Sequence, residues 1–242
     1  MSGRPVALIT GASGGLGRVL APDLAASGYD LALFGSNLVR LEALASDIGL
    51  ADDRHGVFEV DLRDAQATSG AIDAVYQRFG RVDALAHLVG GWTGGTTIAE
   101  SDDEPYIAMI DQHLWTPLNV IRALSPRMVE AGSGRIVAVS SPLAVQSAAG
   151  MGAYAVGKAA LEALFSTLAK ELSGSGVTAN VVRVRSIDAA HARDADAGGD
   201  ASARAKTAAW TTPEEISAAI RYLFSDDARV VNGEALGLHS GL

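Results

Sequence analysis

The N-terminal segment places a glycine-rich turn between a predicted strand and a predicted helix. Residues 6–9 (Val-Ala-Leu-Ile) form a short apolar run typical of a buried parallel strand, and apolar residues recur at helical spacing over 19–24. Between them, Gly11, Gly15 and Gly17 allow the backbone to approach a pyrophosphate, and the helix N-terminus adds free N–H groups and a positive dipole end. This order predicts a dinucleotide phosphate-binding loop in an α/β fold, with a plain glycine turn as the alternative.

The rest of the chain repeats the alternation of apolar strands and amphipathic helices. Further strands are predicted at 31–34, 57–60, 84–89, 135–139, 178–184 and 234–238, and helices at 38–48, 65–79, 107–128, 154–172 and 213–224. We therefore expect one α/β domain over 1–242, with a doubly wound, seven-stranded parallel sheet flanked by helices on both faces. Residues 186–209 lack apolar periodicity, and a loop this long is usually functional or disordered. We expect a substrate lid there, with a disordered surface loop as the alternative.

Composition argues against several classes of function. The chain has no cysteine, which excludes disulfides and thiolate chemistry and is compatible with a reducing cytoplasm. The formal net charge of -9 argues against a nucleic-acid partner. The five histidines lack metal-ligand spacing, so no metal site is expected. Neither a membrane-spanning apolar run nor a signal-peptide pattern is found, so we expect a cytoplasmic protein with no membrane partner.

The end of the second predicted strand bears on the choice between NAD and NADP. In a dinucleotide-binding fold this position meets the adenosine ribose, where an acidic residue binds the 2′-OH of NAD and a basic residue accepts the 2′-phosphate of NADP. Gly35, Ser36 and Asn37 supply neither charge. Ser36 and Asn37 can donate hydrogen bonds to a phosphate, and no carboxylate there repels it, which favours NADP(H) over NAD(H).

Two further strand ends carry candidate cofactor contacts. Asp61 and Leu62 follow the third predicted strand, where the carboxylate can accept from the adenine amino group or cap the next helix. A glycine-rich loop at 90–95 (Gly-Gly-Trp-Thr-Gly-Gly) follows the fourth strand. Ligands of open α/β sheets lie at this edge, so we expect this loop beside the cofactor.

Tyr154 and Lys158 begin a long helical pattern with a spacing of four residues. That spacing puts both side chains on one helix face, one turn apart. A phenol with its usual pKa near ~10 is a poor proton donor or acceptor at neutral pH. We expect the ammonium to lower the pKa of Tyr154 and make the phenol a general acid or base. Alone, this motif is more often an aromatic residue and a surface lysine.

Together these motifs resemble the short-chain dehydrogenase/reductase family over nearly the whole chain. The resemblance depends on Thr10–Gly17, Asp61-Leu62, Ser141, the Tyr154-x-x-x-Lys158 spacing and Asn180. It implies a Rossmann-type fold and hydride transfer between a nicotinamide cofactor and a carbonyl or alcohol substrate. It further implies that Tyr154 exchanges a proton with the substrate oxygen, Ser141 orients the carbonyl, and Lys158 holds the nicotinamide ribose and lowers the pKa of Tyr154.

The resemblance also implies a set of cofactor-binding residues distributed over the strand ends. They are Gly11, Ser13, Gly15, Leu16, Gly17, Ser36, Asn37, Asp61, Leu62, Val89, Gly90, Tyr154, Lys158 and, through its backbone, Ile187.

The chain departs from the family pattern near the chemistry. His113 aligns with the family's catalytic asparagine, which helps to hold a water in a proton relay to the lysine. We expect His113 to act in this relay, with an ionisation near pH ~6–7, or to be a packed core histidine. The Asn-Asn-Ala after the fourth strand is His87-Leu88-Val89 here, and the usual Pro-Gly after the sixth strand is absent.

These observations lead to an NADP(H)-dependent carbonyl reductase, alcohol dehydrogenase or 3-oxoacyl reductase-like enzyme. The departures leave a non-catalytic dinucleotide-binding sensor as an alternative, and the 90–95 loop, which resembles that of the family's pterin reductases, leaves a pterin reductase-like enzyme. The resemblance also implies a homo-oligomer, a tetramer or a dimer, through the helices at 107–128 and 154–172. Ala159, Ala160, Ala163 and Ala169 on the second helix would permit close approach.

Overall fold

The computed structural model describes residues 3–192 and 210–238, which include a seven-stranded parallel sheet. The strands are β1 (Val6–Thr10), β2 (Asp30–Gly35), β3 (His55–Glu59), β4 (Ala84–His87), β5 (Gly134–Ser140), β6 (Val177–Val184) and β7 (Ala235–Leu238). Their order is β3-β2-β1-β4-β5-β6-β7. Because β2 and β4 lie on opposite sides of β1, the order reverses beside β1 and opens a crevice at the carboxyl ends.

Helices cover both faces of the sheet. They are α1 (Gly17–Ala26), α2 (Leu38–Ile48), α3 (Ala65–Phe79), α4 (Asp103–Ile110), α5 (Thr116–Ala131), α6 (Gly152–Glu171) and α7 (Pro213–Phe224). One buried core joins the sheet to α3, α5 and α6, and the other joins it to α1, α2 and α7. The predicted doubly wound fold is therefore confirmed.

Local sequence signals fix the helix ends that frame the crevice. The Asn37 side chain accepts from the backbone N–H of Arg40 and caps α2. Asp64 accepts from two first-turn N–H groups and caps α3. Thr212 and Glu215 form a capping box at α7, with Pro213 in the first helical position. These caps fix the residues at which α2, α3 and α7 begin, and so fix the lengths of the loops that lead into them.

A π-helical segment, Asp111–Trp115, joins α4 to α5 without a break. The sequence predicted one helix bent near Pro117, but Pro117 lies in the first turn of α5 and the irregular winding precedes it. A π-segment inserts an extra residue into the turn and often marks a functional site. Here it includes His113, which is thereby directed at the carboxyl edge of the sheet.

Residues 193–209, most of the predicted substrate lid, lie outside the described residues. Its first part is held to the segment before α7 by a parallel bridge between Ile187 and Thr211. Within the described ranges, the helices are too short or too polar to span a membrane.

Candidate active site

A cavity of about 700 Å³ opens at the carboxyl edge of the sheet, where the strand order reverses. It is lined by residues from the glycine-rich loop and from the ends of β2, β3 and β4, together with two residues from the 111–131 helical region. They are Gly11, Ser13, Gly14, Gly35, Ser36, Glu59, Val60, Asp61, Leu62, Arg63, Leu88, Val89, Gly90, Gln112 and Thr116. Of the predicted cofactor residues, seven line this cavity: Gly11, Ser13, Ser36, Asp61, Leu62, Val89 and Gly90.

Two glycines of the glycine-rich loop, Gly11 and Gly17, pack too closely against their neighbours to carry side chains. Gly11 has a φ of +65°, and a Cβ there would lie 3.2 Å from the backbone nitrogen of Val89. A Cβ at Gly17 would lie 2.2 Å from the carbonyl oxygen of Ala12. Gly15 faces Ala189, whose Cβ lies 3.8 Å from the position a Cβ would take. The backbone of the loop can therefore come close to a ligand phosphate at the start of α1.

The other predicted loop and lid residues lie at the margin of the cavity. The Leu16 side chain is buried in the core beneath the loop. Ile187 is 41% exposed, and the adjacent residues pair with Thr211 through backbone hydrogen bonds. Ile187 is thus accessible, two residues before Ala189, which faces Gly15 of the glycine-rich loop.

A carboxylate from the neighbouring strand lies beside the end of β2. Glu59, the last residue of β3, pairs in register with Gly35 at the end of β2. Its Oε1 accepts from the backbone N–H of Leu38 at 3.2 Å, immediately after Ser36 and Asn37. The residues that follow β2 carry no carboxylate, as the sequence indicates, but the neighbouring strand supplies one beside them.

Asp61 lines the cavity but has a partner within the chain. Arg63 donates to its carboxylate through Nε at 2.9 and 3.2 Å and through Nη2 at 2.7 Å. The hydrogen bonds from Arg63 hold the pKa of Asp61 below its usual value. Asp64 caps the following helix, so the capping role considered for Asp61 was wrong. Leu62 is buried, and its carbonyl accepts from Asn119 of α5 at 2.9 Å.

Ser141, Tyr154 and Lys158 meet beside the carboxyl end of β5. The Ser141 hydroxyl is buried and accepts from the backbone N–H of Leu143 at 3.3 Å, which fixes the turn after β5. Burial raises the pKa of the Tyr154 phenol, while the Ser141 hydroxyl acts in the opposite direction. The Lys158 Nζ lies 5.7 Å from the centre of the Tyr154 ring. The three predicted side chains therefore form one cluster.

The electrostatics of this cluster differ from the sequence-based prediction. The Lys158 ammonium donates to the carbonyl oxygen of Val139 at 2.9 Å and lies over the Tyr154 ring. Burial lowers the pKa of Lys158 to about 8, although the Glu162 carboxylate opposes that shift. The expected lowering of the pKa of Tyr154 by Lys158 was wrong for this structure, because burial of the phenol dominates.

A half-buried ion pair between α6 and β6 supports the cluster. Glu162 lies one turn after Lys158 on α6, and its carboxylate accepts from Arg183 of β6 at 2.8 and 2.6 Å. Ser140 donates to the same carboxylate at 2.6 Å. Because Ser140 precedes Ser141, this network links α6 to the end of β5 and fixes the spacing between Ser141 and Lys158.

His113 is buried between two glycines and faces the Tyr154 ring edge-on at 5.8 Å between ring centres. A Cβ at Gly90 would lie 2.7 Å from its Cε1, and a Cβ at Gly157 would lie 2.9 Å from its Cδ2. Its Nε2 donates to the carbonyl oxygen of Gly91 at 3.1 Å, since that oxygen can only accept. The neutral ring therefore presents an acceptor at Nδ1, which is buried and has no partner among the described residues.

Protonation of His113 is strongly disfavoured in this pocket. Burial lowers the pKa of His113 to about 3, the charge on Lys158 adds to that effect, and the Gly91 carbonyl opposes it. The predicted ionisation near pH ~6–7 was therefore wrong. A neutral imidazole remains able to accept a hydrogen bond in this site.

His87 anchors a buried hydrogen-bond chain behind His113. Thr116 donates to the carbonyl oxygen of Gln112 at 2.7 Å, so its hydroxyl accepts from His87 Nε2 at 3.3 Å. His87 Nδ1 then accepts from Thr10 at 3.0 Å. Burial lowers the pKa of His87 to about 3, and both Lys158 and His113 add to the shift. The chain connects β1 and β4 to the π-segment that carries His113.

Several site features were missed from the sequence. Glu59, Gln112, Arg63 and Thr116 line the cavity, and Glu162 supports the cluster of Ser141, Tyr154 and Lys158. Glu59 belongs to the predicted strand at 57–60, but its position beside the end of β2 depends on the pairing of β2 with β3. The others depend on tertiary contacts with no local pattern.

The exposed face of α6 agrees in part with the predicted interface. Val156, Ala159 and Ala163 are exposed, and Ala160 is half-buried. Ala169, which was predicted to share this face, is instead buried in the core. The exposed alanines of the predicted interface are therefore Ala159 and Ala163, near the middle of α6.

Comparison with known proteins agrees with the geometry. The sequence profile described as short chain dehydrogenase matches residues 5–198. D-threitol dehydrogenase of Mycolicibacterium smegmatis is 31% identical, with 98% of this chain and 92% of that protein covered. Acetoacetyl-CoA reductase of an Acinetobacter species is 30% identical, with 100% and 99% covered. A solved short-chain type dehydrogenase/reductase from Mycobacterium ulcerans is 25% identical, with a TM-score of 0.87 and 98% and 89% covered.

The sequence profile and the relatives thus match this chain over most of its length. The chain belongs to the short-chain dehydrogenase/reductase family of NAD(P)-dependent oxidoreductases.

Proposed function

We propose that this protein transfers a hydride between a nicotinamide cofactor and a carbonyl or secondary alcohol, as a carbonyl reductase or 3-oxoacyl reductase-like enzyme. The observation that carries the proposal is the cluster of Ser141, Tyr154 and Lys158 at the carboxyl edge of the sheet, beside the large cavity. Similarity to a D-threitol dehydrogenase and an acetoacetyl-CoA reductase supports an alcohol or ketone as the reacting group.

The residues present fit a dinucleotide. Gly11 and Gly17 have no space for side chains, and the loop that contains them leads into the start of α1, where a pyrophosphate would bind. Ser36, Asn37, Asp61 and Leu62 would hold the adenosine half. Val89, Gly90, Tyr154, Lys158 and Ile187 would hold the nicotinamide half. The NADP(H) preference predicted from the sequence stays untested, and the position of Glu59 opposes it.

In the reductive direction Tyr154 gives a proton to the substrate oxygen. The raised pKa of its phenol keeps that proton in place at neutral pH, as a general acid requires. Ser141 donates a hydrogen bond that orients the carbonyl, and the ammonium of Lys158 favours the phenolate that remains. The bound nicotinamide supplies the hydride. The Lys158 ammonium loses its proton as pH rises through about 8, so the reaction should slow above that pH.

His113 acts in this proposal as a neutral acceptor that positions the proton path. Its Nδ1 has no partner among the described residues, and a Cβ built at Gly90 would lie 3.2 Å from it and 3.6 Å from Lys158 Nζ. Both nitrogens therefore lie on the same side of the Gly90 backbone. A water donating to Nδ1, or the lysine itself, would satisfy the buried acceptor.

We also propose that the protein assembles into a homo-oligomer, a dimer or a tetramer. The support is the exposed apolar face of Val156, Ala159 and Ala163 on α6, together with Ile107 and Trp115 on the neighbouring helical stretch. The predicted cytoplasmic location stays a prediction.

Turnover over a panel of carbonyl compounds tests the proposed function. The purified protein should oxidise NADH or NADPH in the presence of at least one ketone, with 3-oxoacyl thioesters, sugar-derived ketones and a quinonoid dihydropterin as separate arms. Turnover only with the dihydropterin would favour a pterin reductase-like enzyme. Cofactor binding without turnover in every arm would contradict the enzyme assignment and favour a sensor.

A further inference from the structure

Glu59 puts a negative charge at the adenosine end of the crevice, beside the loop that follows β2. It pairs in register with Gly35, and the Val60 N–H donates to the Gly35 carbonyl at 2.9 Å, so β3 follows β2 to its end. The Glu59 side chain then reaches the start of α2 and accepts from the Leu38 N–H at 3.2 Å. It lines the cavity together with Ser36.

This contact removes a donor that a bound phosphate would use. The first N–H groups of a helix have no partner within the helix, and together with the dipole they attract an anion. At α2 the Glu59 carboxylate already occupies the Leu38 N–H, and the oxygen of the Asn37 side chain accepts from Arg40. The α2 N-terminus is therefore capped by groups of this chain.

The charged residues that line the cavity also disfavour an additional phosphate there. Its charged lining residues within the described chain are Glu59, Asp61 and Arg63. The guanidinium of Arg63 is committed to Asp61 through three contacts of 2.7 to 3.2 Å. No cation of the described residues forms an ion pair with Glu59, so the charged groups that line the described part of the cavity sum to a net negative charge.

We propose that Glu59 determines cofactor specificity, selecting NAD(H) over NADP(H). The inference rests on the proposed function to the extent that a dinucleotide binds in this crevice. A carboxylate beside the end of β2 can accept hydrogen bonds from the ribose 2′-OH of NAD(H) and repels the 2′-phosphate of NADP(H). In this chain β3 supplies the acidic group that the end of β2 lacks.

The size of the effect follows from the exposure of Glu59. In water, two unit charges about 4 Å apart interact by an energy worth roughly fivefold in affinity. A phosphate monoester carries between one and two charges at neutral pH, and the lost Leu38 donor adds to the repulsion. We therefore expect roughly a 10- to 30-fold change in relative affinity when the Glu59 charge is removed.

Titration of the purified protein with NADH and NADPH tests this assignment without requiring turnover. The wild type should bind NADH more tightly than NADPH. Glu59→Gln keeps an acceptor for the Leu38 N–H and should lower the ratio Kd(NADPH)/Kd(NADH) by roughly 10-fold or more, mainly through tighter NADPH binding. Raising the salt concentration should reduce the wild-type ratio and leave the variant's ratio nearly unchanged.

Glu42→Gln serves as the matched control, because it removes the same charge from an exposed position of α2. It should leave the ratio unchanged. Glu59→Lys is a second test and should lower the ratio further, and circular dichroism checks that both Glu59 variants retain the fold.

Tighter NADPH binding by the wild type, or an unchanged ratio in Glu59→Gln, would overturn the assignment. Binding with the expected Glu59 effect but no turnover would support it and contradict only the proposed catalysis. Failure of the wild type to bind either dinucleotide would contradict both.

Discussion

The packing of His113 between glycines makes a quantitative prediction about Gly90. A Cβ at Gly90 would lie 2.7 Å from Cε1 and 3.2 Å from Nδ1 of His113, with Lys158 Nζ next at 3.6 Å. Carbon atoms normally approach to about 3.5–4.0 Å, so Gly90→Ala forces the imidazole or the loop to move. Overpacking of this kind typically reduces the free energy of unfolding by about 1–3 kcal/mol.

The same substitution should be nearly harmless once the ring is removed. In a His113→Asn background, the two closest atoms to the new methyl group are gone, and the next nearest atom, Lys158 Nζ, lies at 3.6 Å, an ordinary van der Waals distance. We expect Gly90→Ala to cost about 1–2 kcal/mol less there than in the wild type, and this difference is the coupling free energy between the two positions.

Urea denaturation followed by far-UV circular dichroism measures all four proteins of this cycle without cofactor. Gly70→Ala is the matched glycine control, because Gly70 lies in α3 with a φ outside the left-handed region and no heavy atom within 4 Å of an added Cβ. It should raise stability by about 0.5–1 kcal/mol in both backgrounds through helix propensity. An equal cost of Gly90→Ala with and without the imidazole would refute the packing argument for His113.

Other predictions concern pH dependence and assembly. Glu162→Gln removes the carboxylate that raises the pKa of Lys158, so the alkaline fall in rate should move to lower pH. The control Glu171→Gln, at the exposed end of α6, should not move it. Identical pH–rate profiles for the wild type and Glu162→Gln would contradict the role of Glu162. Because the pKa of His113 is about 3, His113→Asn should change the rate without removing an ionisation near pH ~6–7, and loss of such an ionisation would contradict the neutral assignment. Light scattering should detect an oligomer that Ala163→Glu on the exposed face of α6 dissociates; a wild-type monomer at micromolar concentration would contradict the proposed interface.

The parts of the fold that were predicted correctly depend on local patterns. The apolar run of β1, the glycines that follow and the helical periodicity of α1 are contiguous, so their order alone indicates a phosphate-binding loop. The spacing of Tyr154 and Lys158 likewise fixes one helix face. Parallel topology then brings the strand ends to a single edge, which explains why seven predicted cofactor residues line the same cavity.

The errors arose where burial or a neighbouring strand decides the chemistry. A lysine one turn away suggested a lowered pKa for Tyr154, but burial of the phenol raises that pKa. Burial also lowers the pKa of the Lys158 ammonium. The ionisation assigned to His113 fails for the same reason. Glu59 was overlooked because its relation to Ser36 depends on the register between β2 and β3, which periodicity does not specify.

Removal of the Tyr154 hydroxyl tests the central claim most directly. With the cofactor and ketone that the wild type turns over best, we predict that kcat of Tyr154→Phe falls by ~10²-fold or more, as expected for loss of a general acid. The Kd for the dinucleotide should stay within a few-fold of the wild-type value, because the ring and Lys158 remain. Unchanged turnover in Tyr154→Phe, with the cofactor bound normally, would contradict the assignment of Tyr154 as the proton donor.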